Sequence, residues 1–287
     1  MSWLKGAVIA LVSVAATLAV LQITRGPVQG EAADNNVLRT KDGKPDLNGI
    51  WQAVGSAHWN LQDHPARTGP VLELGAIFAV PAGLSVVEGN EIPYQPWAAA
   101  KQKENYENWL SRDPEVKCYL PGLPRATYMP YPFQILQTGN NDILMAYEYA
   151  SASRVIKMSK VEPPPVDTWM GQSAGRWEAD TLVVDTTGFN DQTWFDRAGN
   201  FHSEALHLVE RFTPVSPDLL DYQATIEDPK VFTRPWNIRM PLYRRQDKGA
   251  QLLEFKCVEF VEELMYGDLR KKTGNEKPFG AARVRWP

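Results

Sequence analysis

The sequence predicts a mainly β protein whose strands form an antiparallel up-and-down β-barrel behind a loop-rich N-terminal portion. Three observations carry that expectation. From residue 132 onward, runs of strand length alternate with connections of hairpin length. No strand–helix–strand spacing appears, which argues against a parallel sheet. Ten Trp, 22 Pro and 20 Gly among 287 residues describe a turn-rich, aromatic chain. Closing such a meander on itself removes its exposed edges, so a barrel is the economical arrangement.

Residues 1–33 read as a signal peptide or an N-terminal membrane anchor. Lys5 forms a short basic region, residues 6–23 are an unbroken apolar run, and Gly30-Glu31-Ala32-Ala33 supplies the small residues of a cleavage site. The run is long for a cleaved signal and just long enough to span a bilayer. Lys5 on the inner side places everything after Thr24 outside, in the periplasm or on the outer face of the inner membrane. No Cys lies near the end of the run, so a lipoprotein-type anchor is excluded.

Residues 34–130 should hold a linker, a first strand and a loop and helix region packed on the barrel. The turn Pro45-Asp46-Leu47-Asn48 leads into a strand that begins Gly49-Ile50-Trp51. Residues 55–95 follow neither the helix nor the strand period. Residues 96–112 should be helical, with Pro96 in the first turn where its missing N–H does no harm. The prolines between 114 and 132 then hold the chain extended.

The barrel core is expected over residues 131–260. Strand runs at 133–138 and 143–149 flank Gly139-Asn140-Asn141-Asp142, a strong hairpin signal, and a short strand at 153–158 precedes Pro163-Pro164-Pro165. Runs at 169–178 and 181–187 face each other across Ala179-Asp180. Further strands are expected at 203–213, 219–227, 232–245 and 252–259. Residues 261–287 read as a short helix and a basic, solvated tail.

Composition narrows the function. With 44% hydrophobic residues the chain can bury a core, and a net charge of −4 argues against a nucleic-acid partner. Two cysteines cannot build a Cys-rich zinc site. In an oxidising compartment Cys118 and Cys257 are the pair available for a disulfide, and the long loop between them makes its stabilisation about 5 kcal/mol at most. No cofactor signature stands out.

Residues 169–191 (WMGQSAGRWEADTLVVDTTGFND) resemble the signature of a family of exported bacterial β-rich proteins. The family run reads W-x-G-x-S-x-G-R-W-E-G-D-T-L-V-V-D-T-x-G-F-N-D. Further matching pieces surround Cys118, Pro130-Tyr131-Pro132-Phe133, His202-Ser203-Glu204 and Asp228-Pro229-Lys230. The resemblance implies export and a β-rich fold, and no particular chemistry. Ala179 stands where the family has Gly, and Phe260 where it has Asn. Gly49-x-Trp51 is in addition similar to the opening strand of lipocalins and calycins, whose tryptophan plugs one end of the barrel.

Three constellations are candidates for function. The densest polar group includes Asp185, His202, Glu204 and His207, which suits acid–base chemistry by an isomerase, lyase or hydrolase. On a continuous strand His202 and Glu204 share one face, with His207 and Arg211 on the other. A bulge bringing His202, Glu204 and His207 together would make a zinc site; without one, no metal is expected. Gly171-Gln172-Ser173-Ala174-Gly175 matches the letters of a nucleophile elbow, but strand follows where the elbow needs a helix. Trp51, Trp169, Trp177, Trp194 and Trp236, with Arg154 and Arg176, form a candidate ligand set in which Trp stacks an apolar or aromatic molecule and Arg holds an anion.

The expectation is therefore an exported barrel that binds a small hydrophobic or aromatic ligand. An enzyme on the same barrel is one rival. An accessory subunit, bound to a membrane protein or to the membrane through residues 6–24, is another.

Overall fold

A computed structural model describes residues 37–69, 79–139 and 141–259. The apolar run at 6–23 and the helix expected after residue 260 lie outside these residues. Among the described residues no helix is long and apolar enough to cross a membrane.

Nine strands close into a barrel in chain order: β1 Gly49–Ala53, β2 Phe133–Gln137, β3 Ile143–Tyr147, β4 Ser153–Lys157, β5 Gln172–Glu178, β6 Thr181–Thr187, β7 His207–Ser216, β8 Leu219–Glu227 and β9 Trp236–Arg244. β1 pairs with both β2 and β9, which closes the sheet, although the β1–β9 ladder is only three residue pairs long. Alternation is clearest in β8 and β9, where Leu220, Tyr222, Ala224 and Ile226 of one and Trp236, Ile238, Met240 and Leu242 of the other are buried.

Four expectations need correction. The barrel is not wholly antiparallel: β4 and β5 run parallel and pair only at Ile156–Ser173 and Lys157–Ala174. The intervening segment carries Pro163-Pro164-Pro165, which cannot donate to a ladder, and it makes a single isolated parallel bridge, Thr168–Phe189, before β5 starts. The strand expected at 203–213 begins only at His207, because residues 202–206 form a loop tied to Asp228 through the Ser203 amide (2.6 Å). Residues 252–259 form no strand, since β1 already occupies the free side of β9. The extended run expected between 114 and 132 is interrupted by a 3-10 turn at Pro114–Lys117 and a helical turn at Arg125–Tyr128.

The tight hairpins β2–β3, β5–β6 and β7–β8 turn at one end of the barrel. Leu47 and Trp51 plug that end, with the indole donating to the Leu47 carbonyl (2.9 Å) and the Arg244 guanidinium 4.3 Å above its ring. Gly49 is required there, because its φ of 142° is left-handed and a Cβ would meet Arg244. Ala179, in the β5–β6 turn, adopts φ 51° without glycine's freedom.

The other end is covered by the long β1–β2 connection. It contains α1 (Pro96–Glu107), α2 (Trp109–Arg112) and α3 (Arg125–Tyr128), as well as the isolated bridges Val87–Ile238 and Tyr94–Phe232. The helix expected at 96–112 is present, broken at Asn108. Cys118 and Cys257 form a disulfide, which ties the segment after β9 to this cap.

Candidate functional site

The barrel interior is packed and is not a binding chamber. Phe133, Ile135, Met145, Ile156, Phe212 and Tyr222 are buried inside it. At its centre Arg154 makes a two-pronged ion pair with Glu210 (2.5 and 3.1 Å), and Tyr222 donates its hydroxyl to the same carboxylate (2.8 Å). Burial opposes the Arg154 charge, but Glu210 outweighs it and holds the guanidinium protonated.

Of the four candidate catalytic residues the structure brings together only His207 and Asp185, and places His202 and Glu204 apart from them. His202 is buried under the cap, its Nε2 2.6 Å from the Thr193 hydroxyl and its Nδ1 2.8 Å from the Ser203 carbonyl. Nδ1–H therefore donates to the carbonyl and Nε2 accepts from Thr193. A hydroxyl on an imidazole is the arrangement of a nucleophile and its base. Here Thr193 is itself 1% exposed and packs on the Cα of Gly122, so no substrate reaches it. Burial lowers the pKa of His202 and favours the neutral ring. Glu204 sits on the surface, paired with Lys230. His207 lies on the outer wall, between Asp185 (3.0 Å) and Glu227 (3.2 Å). Asp185 also pairs with Arg176 in an exposed charge ladder. The His202, Glu204 and His207 metal alternative is thus not assembled, and among the described residues no three His, Cys, Asp or Glu are placed so that they could hold a metal ion.

The aromatic set also divides. Trp51 is the end plug. Trp236 packs edge-on against Phe195 and Phe232 (5.8 and 5.3 Å), Trp194 is buried in a bridge with Phe201, and Trp169 leans on Tyr119 (5.1 Å). Arg154 is consumed by Glu210. Arg176 and Trp177 share a cleft at the hairpin end of the barrel.

Sequence reading missed a buried polar cluster in the cap. Arg125 grips Asp113 through both terminal nitrogens (2.8 and 2.9 Å) and Glu115 through one (2.6 Å). Arg197 holds the far side of Glu115 (2.7 and 2.8 Å) and lies over the rings of Trp59 and Trp109. Burial alone would raise the pKa of Glu115, but Arg197 and Arg125 prevail and hold it at about 2. Burial, aided by the positive charge of Arg197, lowers His58 to about 4, and burial raises Asp196 to about 7. Asp196 accepts from the Leu61 amide (2.9 Å) and from Asn200.

These two groups oppose each other in acid. His58 sits below its unfolded pKa, so its contribution is present above about pH 6.5 and is lost as pH falls towards 4. Asp196 sits above its unfolded pKa of 3.8, so its contribution is present below 3.8 and is lost as pH rises through 7. Between pH 4 and 6.5 these two contributions largely cancel, and the remaining loss on acidification comes from buried His202, whose pKa is also lowered. Asp196→Asn removes one side of this balance and should lose stability on acidification about 1.4 kcal/mol per pH unit more steeply than wild type. Urea midpoints at several pH values test this, and parallel curves for the two proteins would contradict it.

Sequence reading also missed an apolar cleft in the barrel wall. Pairing of β1 with β9 stops at Ala53–Leu242, and β1 then leaves the wall. The gap is only partly covered by residues 81–86, held by Arg239 N–H to the Val86 carbonyl (2.8 Å) and Val86 N–H to the Leu61 carbonyl (2.9 Å). What remains is a cleft of about 600 Å³. Its walls are small residues, Ala53, Gly55, Ser56, Ala57, Ala82 and Gly83, and Tyr128 and Met240 of the interior form its floor. Gly83 is needed because a Cβ there would overlap Ser56 and His64. Val54 and Leu84 form the lips, 74% and 88% exposed, the two most exposed large apolar side chains among the described residues. The available signal was the clustering of small residues at 53–57 and 81–83, without a period to interpret it.

No family model matches the chain, and neither a curated protein nor a solved structure does.

Proposed function

We propose that this protein is exported and binds a small apolar molecule in the cleft between β1 and β9. The observation that carries the reading is the pairing of an apolar cleft of about 600 Å³ with two fully presented apolar lips. That volume lies within the range of small-ligand sites, about 300–1,000 Å³. Isolated exposed apolar residues are ordinary, whereas two of them bordering one apolar concavity form a surface that gains from being covered. The few polar side chains lining the cleft, among them Ser56, Ser85 and Arg239, are suited to orient a ligand with one polar end.

Export is supported by the basic and apolar N-terminal order and by the Cys118–Cys257 disulfide, a bond that persists in oxidising compartments. No arrangement of the candidate catalytic residues favours an enzyme reading over binding.

The test uses N-phenyl-1-naphthylamine, a neutral apolar fluorophore. Wild type should bind it with a Kd on the order of 1–10 μM, with enhanced emission. Ala82→Trp with Leu84→Asp fills the cleft and makes one lip polar at two exposed positions, so the fold should survive. Binding should weaken at least about tenfold with thermal stability unchanged. Equal binding by the variant, or none by wild type, overturns the proposal.

A further inference from the structure

From a second cleft, at the opposite end of the barrel, we infer a binding site for a neutral saccharide, independent of the apolar cleft. This cleft has a volume of about 990 Å³. It opens along the weak parallel seam between β4 and β5, between the segment that precedes β1 and the β2–β3 hairpin. Gly175 keeps the seam thin, since a Cβ there would run into Met158 and Ile156.

Trp177 supplies a half-buried indole beside Ile143 and Met158, an apolar platform on one wall. The lining also carries polar side chains held in place by hydrogen bonds. Asn48 receives the Gln137 amide (2.7 Å), Gln137 receives the Leu47 amide (2.7 Å) and donates to the Pro45 carbonyl (3.0 Å), and Asp46 caps Asn48. One aromatic side chain and a fixed set of polar side chains lining the same cleft suit a molecule with apolar ring faces and a polar rim. Pyranose rings have that shape, with C–H groups on the face and hydroxyls around the edge.

Charge decides between a neutral ligand and an ionic one. The cleft carries Arg39, Lys41, Lys44 and Arg176 as well as Asp42 and Asp46. Both arginines are already committed, Arg39 to Asp180 through two hydrogen bonds (2.8 and 3.0 Å), and Arg176 to Asp185 and Glu178. With those partners included, positive and negative charges nearly cancel, so the desolvation of an ionic ligand is not offset by any net field. Lys41, Lys44 and the two cleft aspartates then serve as donors and acceptors for hydroxyl groups.

Calorimetric titration of the whole protein with cellotriose, maltotriose and chitotriose tests this. At least one should bind with a Kd on the order of 1 mM. Trp177→Phe keeps an aromatic face and should retain binding, whereas Trp177→Leu keeps apolar packing only and should weaken it about tenfold or more at matched thermal stability. The Ala82→Trp, Leu84→Asp protein should bind the sugar as wild type does, which separates this site from the apolar cleft. Binding by none of the three trisaccharides, equal binding by Trp177→Leu, or binding confined to an acidic sugar such as trigalacturonate overturns the inference.

Discussion

Glu210→Ala should destabilise the protein by about 3–5 kcal/mol, because it leaves the Arg154 guanidinium charged, buried and without its counter-ion. Arg154 Nε already lacks a partner, and its Nη2 would keep the Met145 sulfur at 3.2 Å. Tyr222 would lose the acceptor of its hydroxyl as well. The loss measures an orphaned charge rather than the worth of the pair. Replacing the whole network with Arg154→Met, Glu210→Leu and Tyr222→Phe should therefore restore most of the stability, since an apolar core of similar volume pays no desolvation. Urea unfolding of the single and triple variants decides the matter. A triple variant no more stable than Glu210→Ala would show that the ion pair itself holds β4 against β7.

This network also marks where the sequence stops being legible. β8 and β9 were readable because their apolar residues alternate and a hairpin joins them. β4 reads Ser-Arg-Val-Ile-Lys, and composition alone places Val155 inside. The structure turns Val155 out, 45% exposed, and buries Arg154, because an acceptor waits 56 residues away on β7. No local pattern encodes a partner at that distance. The same limit applies to the cap, where Asp113, Glu115, Arg125 and Arg197 look like solvated charges in the sequence and are buried as one cluster. That His207 and Arg211 share a face was legible, since both lie on one continuous strand; that this face is the outer one was not. His202 and Glu204 were not, since the loop before β7 breaks the alternation. The apolar cleft arises where a strand leaves a barrel wall, an event of tertiary packing without a sequence period.

Removing the disulfide should have an effect of similar size by a different route. Cys118 and Cys257 are 139 residues apart, and closing a loop of that length lowers the entropy of the unfolded chain by an amount worth about 5 kcal/mol at most. The native contacts around it are fewer. The segment after β9 is held by the Leu253 amide on Glu148 (2.8 Å) and by Phe255 packed against Tyr131 (5.2 Å) and Tyr149 (4.8 Å). Beneath it, Tyr149 donates to the Glu115 carbonyl (3.0 Å), which links the segment to the buried charge cluster. Cys118→Ser with Cys257→Ser should accordingly unfold at much lower urea while its barrel remains intact in native conditions. Amide exchange should rise at residues 251–259 and stay slow in β7, β8 and β9, whose ladders do not involve this segment. A change below about 1 kcal/mol would show that the unfolded chain is already compact enough for the cross-link to add little, and would weaken the case that the bond was selected by an oxidising compartment. A large loss, together with local exchange confined to the segment, would identify the disulfide as the main restraint on a strap that crosses the cap without a strand to hold it.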